Sequence, residues 1–372
     1  MRDFGKKINS TALVSVIIDT FYRPKMLQNA VSHILQQTYK NIELIIVNNG
    51  ATKETIEYIE YIKKNDSRIK VVNFAENQFS WDDPQMLIRI CLNAGLDVCT
   101  GDLVFYQSDD DWVAFDFIDR MVKLFVNNDK CITAIGRVAN AKPDGTILNY
   151  YPIVKRDTYV EGLNLAVDFI TNMKLLYQEN PGHSFVIKRD ILNRYGRFQD
   201  TFEKQQILGI VPFGVSAFDP EAIMYWGRHD IQLNSIGTKR FIFWEKYMLK
   251  NIESPELSFI KIWQMNFENI HSNSMQVYCN SVVLSGFYRI IFSYLFNFKL
   301  ISLLNFTREY RYEIFKLKQH YKFIFIGLKF ALVRSNLNYF LQLFLLFISQ
   351  FIYSPILTIK RAIYFLKSKL IS

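Results

Sequence analysis

The sequence has few cysteines and lacks the glycine motifs that commonly bind phosphate. Its four cysteines are scattered, at spacings that match neither a zinc site nor a disulfide framework. Their scarcity favours a reducing compartment. Neither a Walker A motif nor a Gly-x-Gly-x-x-Gly pattern is present, which excludes the usual loops that cradle phosphates. No long apolar stretch follows the N-terminal residues, so no signal peptide is expected.

Charge is distributed unevenly along the 372 residues. The composition is 50% hydrophobic and 16% aromatic, which excludes a disordered chain. The net charge is +9, but from Phe287 onward 13 Lys or Arg residues stand against two acids. The change in character near residue 280 predicts two domains, residues 1–280 and residues 281–372. Nucleic acid is a poor partner for the basic segment, because its cations lie among apolar runs rather than in a polar groove.

Short apolar runs alternate with helical patterns in the first half of the chain. The apolar runs begin at Val14, Ile42, Ile69, Leu103 and Ile132, and the helical patterns between them begin at Pro24, Lys53, Pro84 and Phe115. This alternation predicts an α/β fold with a mostly parallel sheet flanked by helices. Ligands of such sheets bind beyond the carboxyl ends of the strands.

Three consecutive carboxylates, Asp109 to Asp111, follow the apolar run at Leu103. Adjacent carboxylates repel one another, so we expect a cation beside them, and a divalent metal is the simplest candidate. The alternative is a solvated Asp-rich loop. An EF-hand is excluded, because its twelfth position is Arg120 rather than Glu. The strand ends at Thr20 and Asn48 converge on the same edge, which favours the metal.

Several motifs recur in the order found in one enzyme family. They are Val16 to Pro24, Leu35 to Gly50, Asn93 to Gly95 followed by Gly101-Asp102, and Gln107 to Trp112. Together they resemble family 2 glycosyltransferases, and an ordered set of motifs is more specific than any one of them. The resemblance implies a GT-A (Rossmann-like) fold and a nucleotide-sugar donor.

The resemblance also implies roles for the residues of the crevice. Thr20, Arg23 and Asn48 are expected to hold the nucleotide base, and Asp109 to face the ribose or the diphosphate. Asp110 is the expected metal ligand, with Asp109 or Asp111 assisting, and the cation is expected to be Mn²⁺ or Mg²⁺.

Three positions depart from the family pattern. Asp19 stands where Pro is usual, Asn48 where Asp is usual, and Gln107 where many members have another Asp. The Asn48 side chain accepts a hydrogen bond through its carbonyl, but its amide also donates. The sequence therefore does not decide the nucleotide base of the donor, and uridine is the first choice.

The later part of the chain contains an expected general base and a further expected metal ligand. Asp230 matches the family's base, with His229 in the place of the usual Glu. Its competitors are Asp219 and Glu221, and its alternative role is a charge at a helix N-terminus. His271 resembles a late histidine of the family that reaches the metal or the diphosphate. The alternative interpretation is a surface histidine.

These residues predict an inverting, metal-dependent glycosyl transfer. One carboxylate takes the proton of the attacking hydroxyl while the metal stabilises the leaving diphosphate. A catalytically silent GT-A scaffold, acting as a membrane-bound assembly subunit, is the alternative, and the presence of both Asp110 and Asp230 disfavours it. A nucleotidyltransferase is expected to carry a Gly-rich loop that Asp19 to Pro24 lacks.

The C-terminal segment favours a membrane surface as a partner. Leu337 to Ile359 form 23 residues without a charge, flanked by Arg334 and by Lys360-Arg361. Basic residues beside aromatic and leucine-rich faces suit helices that lie in the membrane plane. The alternatives are a spanning helix or helices packed on one another. We expect peripheral attachment at the cytoplasmic face of the inner (plasma) membrane and a saccharide acceptor, lipid-linked, in surface polysaccharide synthesis.

Overall fold

The computed structural model describes residues 4–80, 86–151, 156–162, 164–165, 184–195, 197–198, 210–229, 305 and 308. The chain divides into two compact units, Met1–Gln276 and Val277–Ser372, and the fold below belongs to the first. The domain boundary expected at residue 280 and, apart from residues 305 and 308, the expected helical C-terminal region lie outside the described residues. No membrane-spanning helix is found within the ranges given above.

Strands and helices of the first unit alternate as the sequence predicts. The described elements are β1 (Val14–Thr20), α1 (Pro24–Leu35), β2 (Ile42–Asn49), α2 (Lys53–Asn65), β3 (Ile69–Phe74), α3 (Met86–Val98), β4 (Leu103–Ser108), β5 (Trp112–Val113), α4 (Phe117–Val126), β6 (Cys131–Ala141), β7 (Ile147–Tyr150), β8 (Tyr159–Glu161), β9 (Phe185–Lys188), α5 (Arg189–Arg194), a 3-10 turn (Val211–Phe213) and β10 (Val215–Gly227). Helix α1 begins at Pro24, whose fixed φ suits a first helical residue.

The strands form one mixed sheet, with the order β3-β2-β1-β4-β9-β6-β10-β5. Strands β1 to β4 pair in parallel. Strand β9 is antiparallel to both β4 and β6, and β10 is parallel to β6. The outer strands β7 and β8 pair with β6 and β10. The mostly parallel sheet flanked by helices that was expected of a GT-A fold is confirmed.

The central strands are buried on both faces, which explains why their sequences are apolar without alternation. Val16 and Ile18 of β1 belong to the core cluster that includes residues of α1, α2 and α4. Ile17 points to the other face, where a Cβ added at Gly95 of α3 would lie 2.7 Å from it. Small residues at this contact allow α3 to lie close to the sheet.

Strand β10 is the principal element that the sequence did not predict. Its middle contains Asp219, Pro220 and Glu221, and a proline lacks the N–H that a ladder needs. The pairing with β6 shifts register between Asp219 and Ile223, so the proline lies in a bulge. The Asp219 carboxylate accepts hydrogen bonds from Arg120 at 3.3 Å and from the Glu221 backbone at 2.9 Å.

A buried carboxylate, Glu43, joins β1, β2 and the turn before β4. Its oxygens accept hydrogen bonds from Ser15 Oγ at 2.5 Å, from the Thr100 backbone at 2.6 Å and from Lys70 Nζ at 2.6 Å. Burial acts to raise the pKa of Glu43, but the hydrogen bonds from Lys70, Ser15 and Thr100 outweigh burial and lower that pKa to about 2.

Glu43→Gln is expected to lower the free energy of unfolding at pH 7 by about 3 kcal/mol, the equivalent of the pKa shift. Because the pKa is lower in the folded state, this stability is fully present above pH 4.5 and is lost as the pH falls towards 2. Urea unfolding at pH 7, 4.5 and 3 should therefore show a gap between wild type and variant that narrows only below pH 4.5.

Glu57→Gln is the matched control, because this exposed side chain lies 3.8 Å from Lys53 and makes only a surface ion pair. Its unfolding should match that of wild type at each pH. A Glu43→Gln gap of the same size at all three pH values would contradict the assignment.

Candidate active site

The carboxyl ends of β1, β2 and β4 meet at one edge of the sheet. In the parallel register, Asp19 lies opposite both Val47 and Ser108, and Thr20 lies opposite Asn48. The aspartates that follow Ser108 therefore begin at the same edge. The predicted convergence of these polar residues is present in the structure.

The Arg23 guanidinium lies between two of the three aspartates. One of its nitrogens contacts Asp109 Oδ1, and the other lies 2.5 Å from Asp110 Oδ2. The second oxygen of Asp109 accepts from Thr20 Oγ1 at 2.7 Å. Arg23 is part of the turn between β1 and α1, and its side chain is largely buried. The cation that the sequence requires beside these carboxylates is, in this structure, an arginine.

His229 reaches the same aspartate from the end of β10. Its Nε2 lies 2.9 Å from Asp110 Oδ2 and 3.5 Å from Arg23 Nη1. An ionised carboxylate only accepts, so Nε2 carries the proton. The side chain is 7% exposed, and its Nδ1 has no hydrogen-bond partner among the described residues. The sequence assigned His229 only by its place beside Asp230, and the contact with Asp110 depends on β10, which was not predicted.

Asp111 fixes the end of β10 to the loop. Its Oδ1 accepts a hydrogen bond from the Gly227 backbone at 2.9 Å, and its own backbone oxygen accepts from Gln107 Nε2 at 2.9 Å. The side chain of Asp111 is buried. A Cβ added at Gly227 would lie 2.0 Å from the Asp110 backbone oxygen, so only glycine allows this approach.

Burial and neighbouring charges shift the pKa values of the three carboxylates in different directions. Burial raises the pKa of Asp109 to about 7, although the Arg23 guanidinium acts in the opposite direction. Burial and the charge of Asp110 raise the pKa of Asp111 well above its usual range. Burial acts to raise the pKa of Asp110 as well, but the His229 hydrogen bond and Arg23 outweigh it and lower the pKa. Asp110 is therefore the most readily ionised of the three carboxylates.

The donor atoms around Asp110 are of kinds that hold a divalent cation. Carboxylate oxygens suit Mn²⁺ and Mg²⁺, and the imidazole of His229 is an acceptable further ligand. Within the described ranges, no group of three or more His, Cys, Asp and Glu side chains is arranged to hold a metal ion. Asp110 Oδ2 instead faces Arg23 and His229. The residue types fit a divalent cation, and in this structure Arg23 and His229 occupy the Oδ2 atom of Asp110.

The Asn48 side chain makes local hydrogen bonds in this structure. Its amide nitrogen donates to Asn73 Oδ1 at 2.9 Å, and its oxygen accepts from the Ala51 backbone at 2.8 Å. Its expected contact with the base stays a prediction. Asp230, the expected base, and His271, the expected further ligand, lie outside the described residues.

Comparisons with known proteins agree with this architecture. Residues 15–196 match the model of Glycosyl transferase family 2. An uncharacterized glycosyltransferase of Haemophilus influenzae is 26% identical over 335 residues, which cover 84% of this chain and 95% of that relative. The GalNAc(5)-diNAcBac-PP-undecaprenol beta-1,3-glucosyltransferase of Campylobacter jejuni is 32% identical over 98 residues, which cover 26% of this chain and 29% of that relative.

A solved structure of TarS from S. aureus, in complex with UDP-GlcNAc, aligns with 76% of this chain and 81% of that chain. The aligned residues are 12% identical, and the TM-score is 0.48. The family match covers β1 to α5 and includes Thr20, Arg23 and the three aspartates. Residues 15–196 form a Glycosyl transferase family 2 domain, so the resemblance seen in the sequence is confirmed over that part of the chain.

Proposed function

We propose that the protein transfers a sugar from a nucleotide-diphosphate donor, with uridine as the first-choice base, to a saccharide acceptor with inversion. The observation that carries this proposal is the buried aspartate loop, Asp109 to Asp111. It lies at the carboxyl ends of β1, β2 and β4, where ligands of open α/β sheets bind. With no glycine loop to cradle the donor phosphates, charged side chains have to bind them.

The described residues supply two elements of the reaction. Asp110 carries negative charge beside Arg23 and His229, and all three side chains are mostly buried, which strengthens their interactions with a donor. A divalent cation, when bound there, neutralises the diphosphate that leaves. Asp110 and His229 would hold it, with Asp109 or Asp111 assisting, and Arg23 is a second cation for the diphosphate.

We assign the general base to Asp230. It directly follows His229, whose imidazole contacts Asp110. A carboxylate at this point of the chain is suited to take the proton of the attacking hydroxyl while that hydroxyl displaces the nucleoside diphosphate from the anomeric carbon. His271 remains the proposed further ligand of the cation.

A lipid-linked acceptor fits the composition of the C-terminal segment. The basic and aromatic residues after Phe287 suit peripheral attachment to an anionic membrane, at the cytoplasmic face. The Campylobacter jejuni relative is named for an undecaprenol-linked acceptor, which supports the same class of acceptor for this chain. Surface polysaccharide synthesis is the corresponding process.

Thermal unfolding with a panel of nucleotide diphosphates and nucleotide sugars, with and without Mn²⁺, tests the donor assignment. At 100 times its dissociation constant, a bound donor stabilises the folded state by about 2.7 kcal/mol. Wild type should therefore gain several degrees in Tm with at least one donor in Mn²⁺, and Asp110→Asn should gain little.

Asp129→Asn serves as the matched control, because this carboxylate pairs with Lys7 on the surface at 2.9 Å. It should respond to the donor as wild type does. The donor site is refuted if no nucleotide stabilises the wild type, or if Asp110→Asn responds equally.

A further inference from the structure

We propose that Arg23 is the resident counter-cation of the aspartate loop and that a divalent cation binds Asp110 only by displacing it. The inference rests on the proposed function, because the competing ion is the one that accompanies the nucleotide-sugar. It adds a role for Arg23 that contact with the nucleotide base does not provide.

The geometry makes the two cations mutually exclusive at one oxygen. Asp110 Oδ2 lies 2.5 Å from Arg23 Nη1 and 2.9 Å from His229 Nε2, so it already serves two donors. A metal ion binds a carboxylate oxygen at about 2.1 Å, and a guanidinium held at hydrogen-bond distance from that oxygen repels it. The ion and the arginine therefore compete for Asp110 Oδ2.

Arg23 keeps a second carboxylate when it leaves Asp110. Its other nitrogen contacts Asp109 Oδ1, and Thr20 holds the remaining oxygen of Asp109. Asp109 thus anchors the guanidinium at the edge of the loop during the exchange. The nitrogen released from Asp110 is then available to donate a hydrogen bond to a phosphate oxygen, and guanidinium groups bind phosphate well.

The position of Arg23 in the chain permits this movement. It lies in the turn between β1 and α1 rather than within either element, and its side chain is 19% exposed. The Tyr22 ring, whose centroid lies 5.7 Å from the guanidinium carbon, is 42% exposed. The side chain therefore has an open direction, towards the surface, in which to turn.

His229 gives an independent indication that the loop accepts a ligand. Its side chain is 7% exposed, and within the part of the chain that the structure describes Nδ1 lacks a hydrogen-bond partner. A buried polar atom without a partner is unfavourable and is uncommon in native proteins. Rotation of the ring would allow Nδ1 to bind an ion at Asp110, in place of the hydrogen bond that Nε2 shares with that aspartate.

Titration of the full-length protein with Mn²⁺ alone, followed by the EPR signal of free Mn²⁺, tests the competition. Arg23→Gln should bind Mn²⁺ at least tenfold more tightly than wild type, because the ion no longer displaces a charged group. Arg23→Lys should bind with intermediate affinity, because a lysine is a single point charge that cannot span both carboxylates. Arg68→Gln, which breaks an ion pair with Asp66, should match wild type.

Thermal unfolding provides the second measurement. Without metal, Arg23→Gln should have a lower Tm than wild type, because two buried carboxylates lose their counter-charge. Mn²⁺ should raise the Tm of this variant more than that of wild type. If Arg23→Gln does not fold, the comparison is made with Arg23→Lys.

Equal or weaker Mn²⁺ binding by the Arg23 variants would overturn the proposal, and so would absence of Mn²⁺ binding in all proteins. Failure of the donor assignment can be distinguished from failure of this proposal. If Mn²⁺ binds the variants more tightly but no nucleotide stabilises the wild type, the counter-cation role stands and the donor assignment is wrong.

Discussion

Asp110→Asn is expected to reduce kcat/KM for sugar transfer by a factor of about 10³, which is the loss of about 4 kcal/mol of transition-state stabilisation. Asp110 is the aspartate whose pKa is lowered, so in the proposed mechanism its charge would hold a cation against the leaving diphosphate. Asparagine keeps the size of the side chain and removes that charge. Release of the nucleoside diphosphate from the donor measures the rate.

The variant has to remain folded for this result to be informative. Asparagine still accepts from Arg23 and His229 through its carbonyl, so we expect a change in Tm that is small beside the change in rate. Asp129→Asn, the surface control, should keep the rate of wild type. Retention of more than a tenth of the wild-type rate by Asp110→Asn would contradict the role given to this residue.

Gly227→Ala is expected to lower kcat/KM about 100-fold and the free energy of unfolding by about 1–3 kcal/mol, the usual range for overpacking. The added Cβ would lie 2.0 Å from the Asp110 backbone oxygen, which is far inside van der Waals contact. The end of β10 then has to move away from the loop. That movement breaks the hydrogen bond from Gly227 to Asp111 and withdraws His229 from Asp110.

Gly145→Ala is the matched glycine variant. A Cβ at Gly145 would meet no atom within 4 Å, and only its φ of +86° opposes the change. It should lose about 1 kcal/mol of stability and no activity. Urea unfolding and donor turnover of the two variants separate the effects. Wild-type activity in Gly227→Ala would mean that the position of β10 does not matter for the site.

The central sheet was predictable because its strands carry a strong local signal. Strands β1, β2 and β4 are nearly continuous apolar runs that end in polar residues, and the helices between them have clear apolar periodicity. Strand β10 was not predictable, because Asp219-Pro220-Glu221 gives it the local character of a loop. Pairing with β6 and a bulge override that local character, and both depend on residues far away in sequence.

Some features of the candidate site were likewise predictable from the sequence, and others were not. The need for a cation beside Asp109 and Asp110 follows from their sequence, and their edge follows from the strand order. The identity of the resident cation could not be predicted from the sequence, because Arg23 lies 87 positions from Asp110. The contact of His229 with Asp110 spans 119 positions and depends on β10. Such pairs are set by tertiary structure rather than by local pattern.

Hydrogen–deuterium exchange with a bound donor tests the central claim most directly. The nucleotide with the largest thermal shift is added with Mn²⁺ at saturating concentration, and uptake is compared with that of the free protein. We predict lower uptake in peptides that cover residues 14–23, 42–51 and 103–113, the carboxyl ends of β1, β2 and β4. Unchanged uptake in these three segments, with protection elsewhere under saturating ligand, would contradict a nucleotide-sugar site at the aspartate loop.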